Sequence, residues 1–452
     1  MRDNKEKENK KENKNSEQKR QTADNARRVA IETLIKCESS GQYSNIALDN
    51  ALKKSELSQS DKALASVLFY GVIERRITLD YYISKLSSRP INEIDTRTKE
   101  TVRLGLYQLI YLDRVPAHAA INETVELCTA KTKGFVNAIL RSYTREGKKI
   151  VFPDVSEGEA YYLSVKYSVG EKLAERFIKI FGIERCESIF ASLHNTAGTT
   201  LRVNTLKISR DELCERLGGE LTRYSGAGVR VSGKVASLYG FDEGLFFVQD
   251  EASQICTAAL GAKEGECVID TCSCPGSKSF GAAIDMNNKG RVYSFDLHAN
   301  KLSLVESSAK RLGIDIIETE ERDGRKPREE LLGKADRVLC DVPCSGFGVL
   351  GKKPELRYKD PEASEALPDI QLAILKASAL YVKKGGVLVY STCTVLPEEN
   401  EKNIERFLAS RPDFELCGFE VGELCCPCGM ITLLPDEHRT DGFFVAKMVK
   451  KI

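Results

Sequence analysis

Cys267-Val-Ile-Asp-Thr-Cys-Ser-Cys-Pro-Gly-Ser-Lys278 runs from a short β-branched stretch through a turn of small residues into a helical pattern. A brief apolar run closed by Pro-Gly reads as a buried strand feeding a helix. Working outward, the same grammar repeats. Arg291-Val-Tyr-Ser-Phe295, Asp315-Ile-Ile-Glu318, Arg337-Val-Leu-Cys340, Val387-Leu-Val-Tyr390 and Phe443-Phe-Val-Ala446 read as strands. His298 to Leu312, Leu367 to Val382 and Glu398 to Ser410 read as helices between most of them. Alternation of this kind predicts a mostly parallel sheet with helices on both faces, a Rossmann-like α/β domain over residues 246–452. Ligands of such sheets sit outside the carboxyl ends of the strands, where strand order reverses.

Upstream the patterns differ. Residues 148–245 mix helical stretches (Gly170 to Phe181, Ser209 to Leu217) with extended runs (Thr200 to Asn204, Gly228 to Ser232), as expected of a small α+β connecting domain. Arg202 and Asn204 fall on one of its strands, either to meet a phosphate or base or, for the arginine, to make a surface salt bridge. Residues 23–147 are helical in pattern throughout. Val29, Ile31, Leu34 and Ile35, then Ala63, Val67, Leu68 and Val72, then Val102, Leu104, Leu106 and Leu109 recur at three- and four-residue spacing. Ser58 and Ser60 offer caps, and Pro116 and Gly134 punctuate later helices. Residues 1–22 carry no apolar periodicity and are expected to form a disordered, solubilising tail.

The chain has 452 residues, too many for one hydrophobic core, and its 42% apolar and 29% charged content is that of an ordinary soluble protein. No apolar run approaches the roughly 18 residues of a membrane span, and the lysine-rich start lacks the apolar stretch of a signal peptide. A cytoplasmic protein without membrane association is expected. Fifteen cysteines in that setting predict reduced thiols with catalytic or metal chemistry rather than a disulfide framework. A formal net charge of +1 excludes a global basic field, so any nucleic-acid contact must come from local patches.

Motifs cluster where the fold expects a ligand. In the loop Cys272, Ser273, Cys274, Pro275, Gly276, Ser277 and Lys278, Gly276 permits close backbone approach and the helix start offers free N–H groups. It is neither a dinucleotide fingerprint nor a Walker loop. Asp296 ends the next strand, about twenty residues on, where a carboxylate accepts from ribose hydroxyls or caps a helix. Asp323, after the third strand, is a candidate for the adenine edge or a simple Asp-Gly turn. Cys340-Asp-Val-Pro-Cys-Ser-Gly-Phe-Gly348 ends the fourth strand and Ser391-Thr-Cys-Thr394 the fifth, putting two thiols and Asp341 at one mouth of the sheet.

The pairing of Asp341-Val-Pro-Cys-Ser-Gly346 with Thr392-Cys-Thr394, followed by Pro397-Glu-Glu-Asn-Glu401, resembles the NOL/NOP/Sun family of RNA m5C methyltransferases. Gly134-Phe-Val-Asn-Ala-Ile-Leu-Arg141 looks like a NusB-type RNA-binding domain, and Val248-Gln-Asp-Glu-Ala-Ser253 like the entry to the catalytic domain. A NusB-like head on such a domain is similar to the family's bacterial small-subunit (16S) rRNA branch. The resemblance implies S-adenosylmethionine as cofactor and 16S rRNA as partner, in an unassembled or partly assembled small subunit, with the enzyme a monomer. It implies that Cys393 attacks cytosine C6, Cys344 releases the product, and Asp341 holds the N3/N4 edge while lying near the cofactor. The 272–278 loop, Asp296 and Asp323 would hold the cofactor. Lys278 supports that loop or the site's electrostatics, or lies on a helix surface.

Two departures stand out. The family's loop reads Cys-Ala-Ala-Pro-Gly-Gly-Lys, so Ser277 adds a β-carbon and is expected to weaken or shift cofactor binding. Tyr167-Ser-Val-Gly170 lacks the Pro-Glu-Trp-type continuation of relatives, which puts RNA contacts of the middle domain in doubt. Competing readings are another RNA substrate such as tRNA, a non-enzymatic RNA-binding assembly factor, a DNA cytosine methyltransferase with its nucleophile at the Cys344 position, and a zinc protein built on Cys417 with Cys425-Cys-Pro-Cys428 or on Cys272 with Cys274. The cysteine spacing and scattered histidines argue against zinc, and no metal is expected. An intact Cys393 and Asp341 argue against a silent relative.

Overall fold

The computed structural model describes residues 25–40, 44–146, 149–194, 198–233 and 235–452; the tail at 1–22 lies outside the described residues. The chain divides into two compact units between Glu175 and Arg176.

In the first unit, α1 (Ala26–Ser40), α2 (Ser44–Lys54), α3 (Gln59–Glu74), α4 (Arg76–Leu86), α5 (Thr96–Tyr111), α6 (Ala117–Val125) and α7 (Lys133–Glu146) close round a core that includes Ile31, Leu34, Phe69, Val102, Leu104 and Leu106. Ser58 caps α3, its hydroxyl accepting from Asp61 N at 3.2 Å, while Pro116 precedes α6. Gly134 is the second residue of α7. The buried stripe of α3 is Ala65, Leu68, Phe69 and Val72, so Ala63 and Val67 face solvent instead of the core; the expected face was one step out of phase. A further helix, α8 (Glu159–Tyr167), belongs to this unit and packs on α4, where Thr78 Oγ1 donates to Val165 O at 2.6 Å and Ile77 N to Ser168 Oγ at 2.9 Å. Tyr167-Ser-Val169 is therefore a buried joint of the helical unit rather than a surface for RNA.

After α9 (Glu171–Phe181) and α10 (Ile183–Ser192), the second unit opens with an antiparallel sheet in the order β2-β3-β1-β4. Its strands are β1 (Thr199–Val203), β2 (Glu220–Leu221), β3 (Gly228–Val231) and β4 (Phe246–Val248), with α11 (Arg210–Leu217) between β1 and β2. Arg202 and Asn204 are buried and face inward. Arg202 Nη2 donates to Asp285 Oδ1 at 2.6 Å, and Asn204 Nδ2 to the carbonyls of Gly244 and Leu312 at 3.0 and 2.8 Å. Neither is free for a phosphate, and the salt bridge is part-buried: both side chains tie the small sheet to the helices that flank the large one.

The large sheet follows α12 (Glu251–Leu260). It comprises β5 (Cys267–Asp270), β6 (Arg291–Asp296), β7 (Ile317–Glu321), β8 (Ala335–Asp341), β9 (Val382–Thr392), β10 (Phe414–Leu416), β13 (Met430–Leu433) and β14 (Phe443–Lys450); a separate hairpin pairs β11 (Phe419–Val421) with β12 (Leu424–Cys426). The helices α13 (Ser277–Asp285), α14 (Ala299–Leu312), α15 (Leu367–Ala379), α16 (Glu401–Ser410) and the short α17 (Pro435–His438) lie between strands. The order is β7-β6-β5-β8-β9-β14-β10, with β5 to β9 parallel and β14 antiparallel to β9, β10 and β13. Strand alternation sends neighbours to opposite faces. Val268, Val389 and Val445 join one buried cluster with Phe280 and Leu312, while Ile269, Leu388 and Phe444 join the other with Phe295 and Leu375. Each such side chain fully buried contributes about 1.5–3 kcal/mol. The chain steps outward from β5 to β7, then returns to β8 on the other flank of β5. That reversal opens the crevice at Asp270 and Asp341.

Candidate active site

Everything the sequence singled out for chemistry lies at this carboxyl edge. Register pairs Asp341 at the end of β8 with Ser391 near the end of β9, so the turns carrying Cys344 and Cys393 emerge side by side. The two sulfurs are 3.1 Å apart, and both residues are half-buried. Proximity divides them: the hydrogen bond from the Cys344 thiol favours a thiolate at Cys393 and lowers its pKa, against the opposing pull of burial. The same contact, with burial and the neighbouring charge of Glu399, drives Cys344 well above the ordinary thiol range. Such a pair can hold one sulfur as a thiolate while the other keeps its proton.

Asp341 is held on both oxygens. Lys278 Nζ donates to Oδ2 at 2.7 Å and Ser391 Oγ to Oδ1 at 2.6 Å. Lys278 is 8% exposed, so it does not lie on a helix surface. Burial works against its charge, but the Asp341 carboxylate overrides that and raises its pKa. Its ammonium also lies 5.1 Å from the centre of the Phe443 ring.

The 272–278 loop is organised from below by Asp270, which is fully buried. Ser279 Oγ donates to its Oδ2 at 2.7 Å, and burial pushes its pKa up to about 7. Ser273 Oγ is buried without a protein partner. Gly276 has φ 104°, and a Cβ there would meet the Phe280 ring at 2.5 Å, so glycine is required on two counts. Ser277 then starts α13 in ordinary helical backbone, which explains how a serine is tolerated. Asp296 accepts from Cys274 N at 3.3 Å and His298 N at 3.0 Å, tying the loop to the end of β6 while also serving the α14 start. Asp323 is gripped by its own Arg325, whose Nε and Nη2 donate at 2.9 and 2.8 Å and hold the carboxyl down at about 2. The adjacent Gly324 brings this turn against Thr271 O and Cys272 Sγ, 3.3 and 3.6 Å from where a Cβ would stand.

Several members were given no role from sequence. Ser391, Asp270, Gln371, Glu399 and Asn400 are polar and buried, and polar letters read as surface unless a partner is known. Another is Lys352, which donates to Asp250 Oδ2 at 2.5 Å and Asp441 Oδ2 at 2.8 Å, next to Gly442, whose N–H donates to Gly348 O at 2.8 Å. Among the described residues no group of three or more His, Cys, Asp or Glu is arranged to hold a metal, and no helix is long and apolar enough to cross a membrane.

The sequence model of the family described as 16S rRNA methyltransferase RsmB/F matches residues 257–449, that of the NusB family residues 24–145, and that of an RsmF/B-like ferredoxin-like domain residues 171–230. The chain is 38% identical over 446 residues to the probable ribosomal RNA small subunit methyltransferase B of Bacillus subtilis, covering 94% of this chain and 98% of the relative. It is 39% identical over 450 residues to the Synechocystis protein of the same name, covering 94% and 99%. Among solved structures, that of PH0851 superposes with a TM-score of 0.76 at 28% identity over 94% of this chain and 98% of that one. A methyltransferase homologue from Pyrococcus horikoshii gives 0.56 at 29% over 64% and 97%.

Proposed function

The chain belongs to the 16S rRNA methyltransferase RsmB/F family, and from that membership we propose that it transfers a methyl group from S-adenosylmethionine to C5 of a cytosine in 16S rRNA through a bond between Cys393 and C6. The observation that carries the proposal is the pair of thiols 3.1 Å apart beside the Asp341–Lys278 ion pair. Cytosine C5 is a poor nucleophile until a thiolate adds to C6. The Cys393 sulfur supplies that electron pair, stabilised beforehand by the Cys344 hydrogen bond. Asp341 hydrogen-bonds the N3/N4 edge and passes to N3 the proton that Lys278 keeps beside it. The cofactor supplies an electrophilic methyl group. Once C5 carries both hydrogen and methyl, its proton leaves to the Cys344 side, the C5–H electrons restore C5=C6, the C6–S bond breaks with its pair on the Cys393 sulfur, and N3 returns its proton.

The residues present fit such a cofactor. Ser273 Oγ is a buried hydroxyl left for a ligand, Gly276 brings backbone close, and Asp296 and Asp323 offer carboxylates for ribose hydroxyls and the adenine edge. A cytosine in a helix must flip out, at a cost of a few kcal/mol, which favours a loop in an unassembled or partly assembled small subunit. That substrate places the enzyme in the cytoplasm.

Denaturing gels of purified protein with unmodified 16S rRNA and S-adenosylmethionine test the assignment. Cys344→Ala accumulates a protein–RNA adduct; Cys393→Ala forms none and is inactive. An adduct persisting in Cys393→Ala assigns the nucleophile elsewhere. Mapping m5C in rRNA from a deletion strain identifies the nucleotide.

A further inference from the structure

Two adjacent residues on the turn before α16, Glu399 and Asn400, reach the two thiol-bearing turns separately. Glu399 Oε2 accepts from Ser345 N at 2.9 Å and from Gln371 Nε2 at 2.7 Å, and the same Gln371 nitrogen donates to Pro343 O at 3.0 Å. The backbone on both sides of Cys344 is thus clamped. Asn400 does the same for Cys393. Its Oδ1 accepts from Thr392 Oγ1 at 2.6 Å and its Nδ2 donates to Thr394 O at 3.0 Å. Ser345 Oγ and Thr394 Oγ1, 2.7 Å apart, join the two clamps.

Glu399 is 1% exposed, and its second oxygen, Oε1, is buried with no protein partner. Burying a carboxylate with half its acceptor capacity unmet is costly, and a neutral glutamine would fill the same space and still accept from Ser345 N. The charge itself therefore calls for a use. Of the titratable groups nearby, Cys344, Asp341, Lys278 and Lys353 act on the nucleophile, and Lys359 Nζ reaches Ser345 O at 3.4 Å. Tyr390 Oη is spent on Glu399 O at 2.6 Å. The charges acting on Cys344 are those of Cys393 and Glu399, and Cys393 loses its charge when it bonds to C6.

We propose that Glu399 and Asn400 are positioning residues that set the two thiols against each other, Asn400 for the attack by Cys393 and Glu399 for the removal of the C5 proton at Cys344. The inference rests on the roles of Cys393 and Cys344 proposed above. While Cys393 is a thiolate, the proton on Cys344 stabilises it. After C6–S bond formation that proton passes to solvent, and the Glu399 charge makes the resulting Cys344 sulfur a stronger base for the C5 proton. The C5 proton moves to Cys344 as the C5=C6 bond re-forms and Cys393 leaves as thiolate.

The test follows adduct formation and adduct decay separately, in single turnover, with full-length protein, unmodified 16S rRNA and S-adenosylmethionine. Glu399→Gln is expected to form adduct at the wild-type rate and, at pH high enough to ionise Cys344 in both proteins, to release it about tenfold more slowly, a fraction of what general base catalysis is worth. Its rate of decay rises with pH along a limb displaced to lower pH, because removing a negative charge lets Cys344 ionise sooner. Asn400→Ala shows the converse, slow adduct formation with normal decay. Equal slowing of both steps in either variant, or an unmoved limb in Glu399→Gln, overturns the proposal. If these variants fail to fold, Glu399→Asp, which keeps the charge, must keep the wild-type limb, and Thr392→Val must slow adduct formation alone. Cys344→Ala is run beside them: no accumulated adduct there refutes the underlying roles, whereas accumulation there with no step-specific effect at Glu399 and Asn400 refutes this inference alone.

Discussion

Asp270 shows how a single buried carboxyl couples the site to stability. Its pKa rises from the ordinary value to about 7, chiefly through burial and against the hydrogen bond from Ser279. Between those two values the folded protein binds a proton that the unfolded chain releases, so stability is full at low pH and declines as pH rises toward 7. Each unit of difference is worth about 1.4 kcal/mol. Asp270→Asn is therefore expected to flatten the fall in denaturation midpoint between pH 5 and about 7, read by urea titrations at stepped pH. Unchanged steepness would mean that the carboxyl ionises freely in the fold. Lys278 argues the other way round, since its charge is needed. Lys278→Met leaves Asp341 with Ser391 alone, and kcat is expected to fall about a hundredfold while Lys278→Arg retains part of it. Single-turnover methylation of rRNA at saturating cofactor reads the difference.

At the scale of elements, what could be read from sequence depended on whether a strand had two buried faces. Strands β5, β6, β8 and β9 sit inside the sheet, and their apolar runs and the aspartates and cysteines at their ends were legible. The edge strand β7, Ile317-Glu-Thr-Glu-Glu321, alternates with charge on exposed positions, as edges do, and the reading at Asp315–Glu318 began two residues early and ended three short. The strands β4, β10, β11, β12 and β13 have three or four residues each and exist by pairing, so no local pattern announced them. Within the site, thiols and aspartates were legible because they gather at strand ends, although a helix cap and an Asp-Gly turn competed for Asp296 and Asp323, while the Glu399, Asn400 and Gln371 clamps are interior polar contacts that only the fold reveals. The cofactor loop sits between these cases. Gly276 carries the positive φ, so Ser277 need only keep helical backbone, and Ser277→Gly is expected to tighten S-adenosylmethionine a few-fold while costing about 0.5–1 kcal/mol of stability. Calorimetric titration and thermal melts separate the two effects. The strand β1 makes the contrast with RNA binding testable: Arg202→Leu leaves Asp285, about one-third exposed, without its partner, and is expected to destabilise by about 2 kcal/mol without changing the salt dependence of rRNA binding.

At the scale of the molecule, the helical core draws on Ala30 to Leu140 and the sheet cores on Leu201 to Met448, so each unit holds its own buried apolar surface. The residues proposed for chemistry all lie in the second unit, at the ends of β5 to β9 and on the turns after them, where strand order reverses. A net charge of +1 spread over 452 residues leaves little long-range attraction for RNA, so affinity must be built from many local phosphate contacts. The NusB-family region at 24–145 falls within the first unit and carries none of those residues. A fragment of residues 171–452 is accordingly expected to fold and bind S-adenosylmethionine with the affinity of the full chain. Its binding to 16S rRNA is expected to weaken at least tenfold, with a shallower dependence of log K on log salt, because phosphate contacts of the first unit are lost. Filter binding across a salt series measures both quantities. Full rRNA affinity with an unchanged slope would assign RNA recognition wholly to the catalytic unit, whereas loss of cofactor binding would mean that the sheet depends on the helices for its fold.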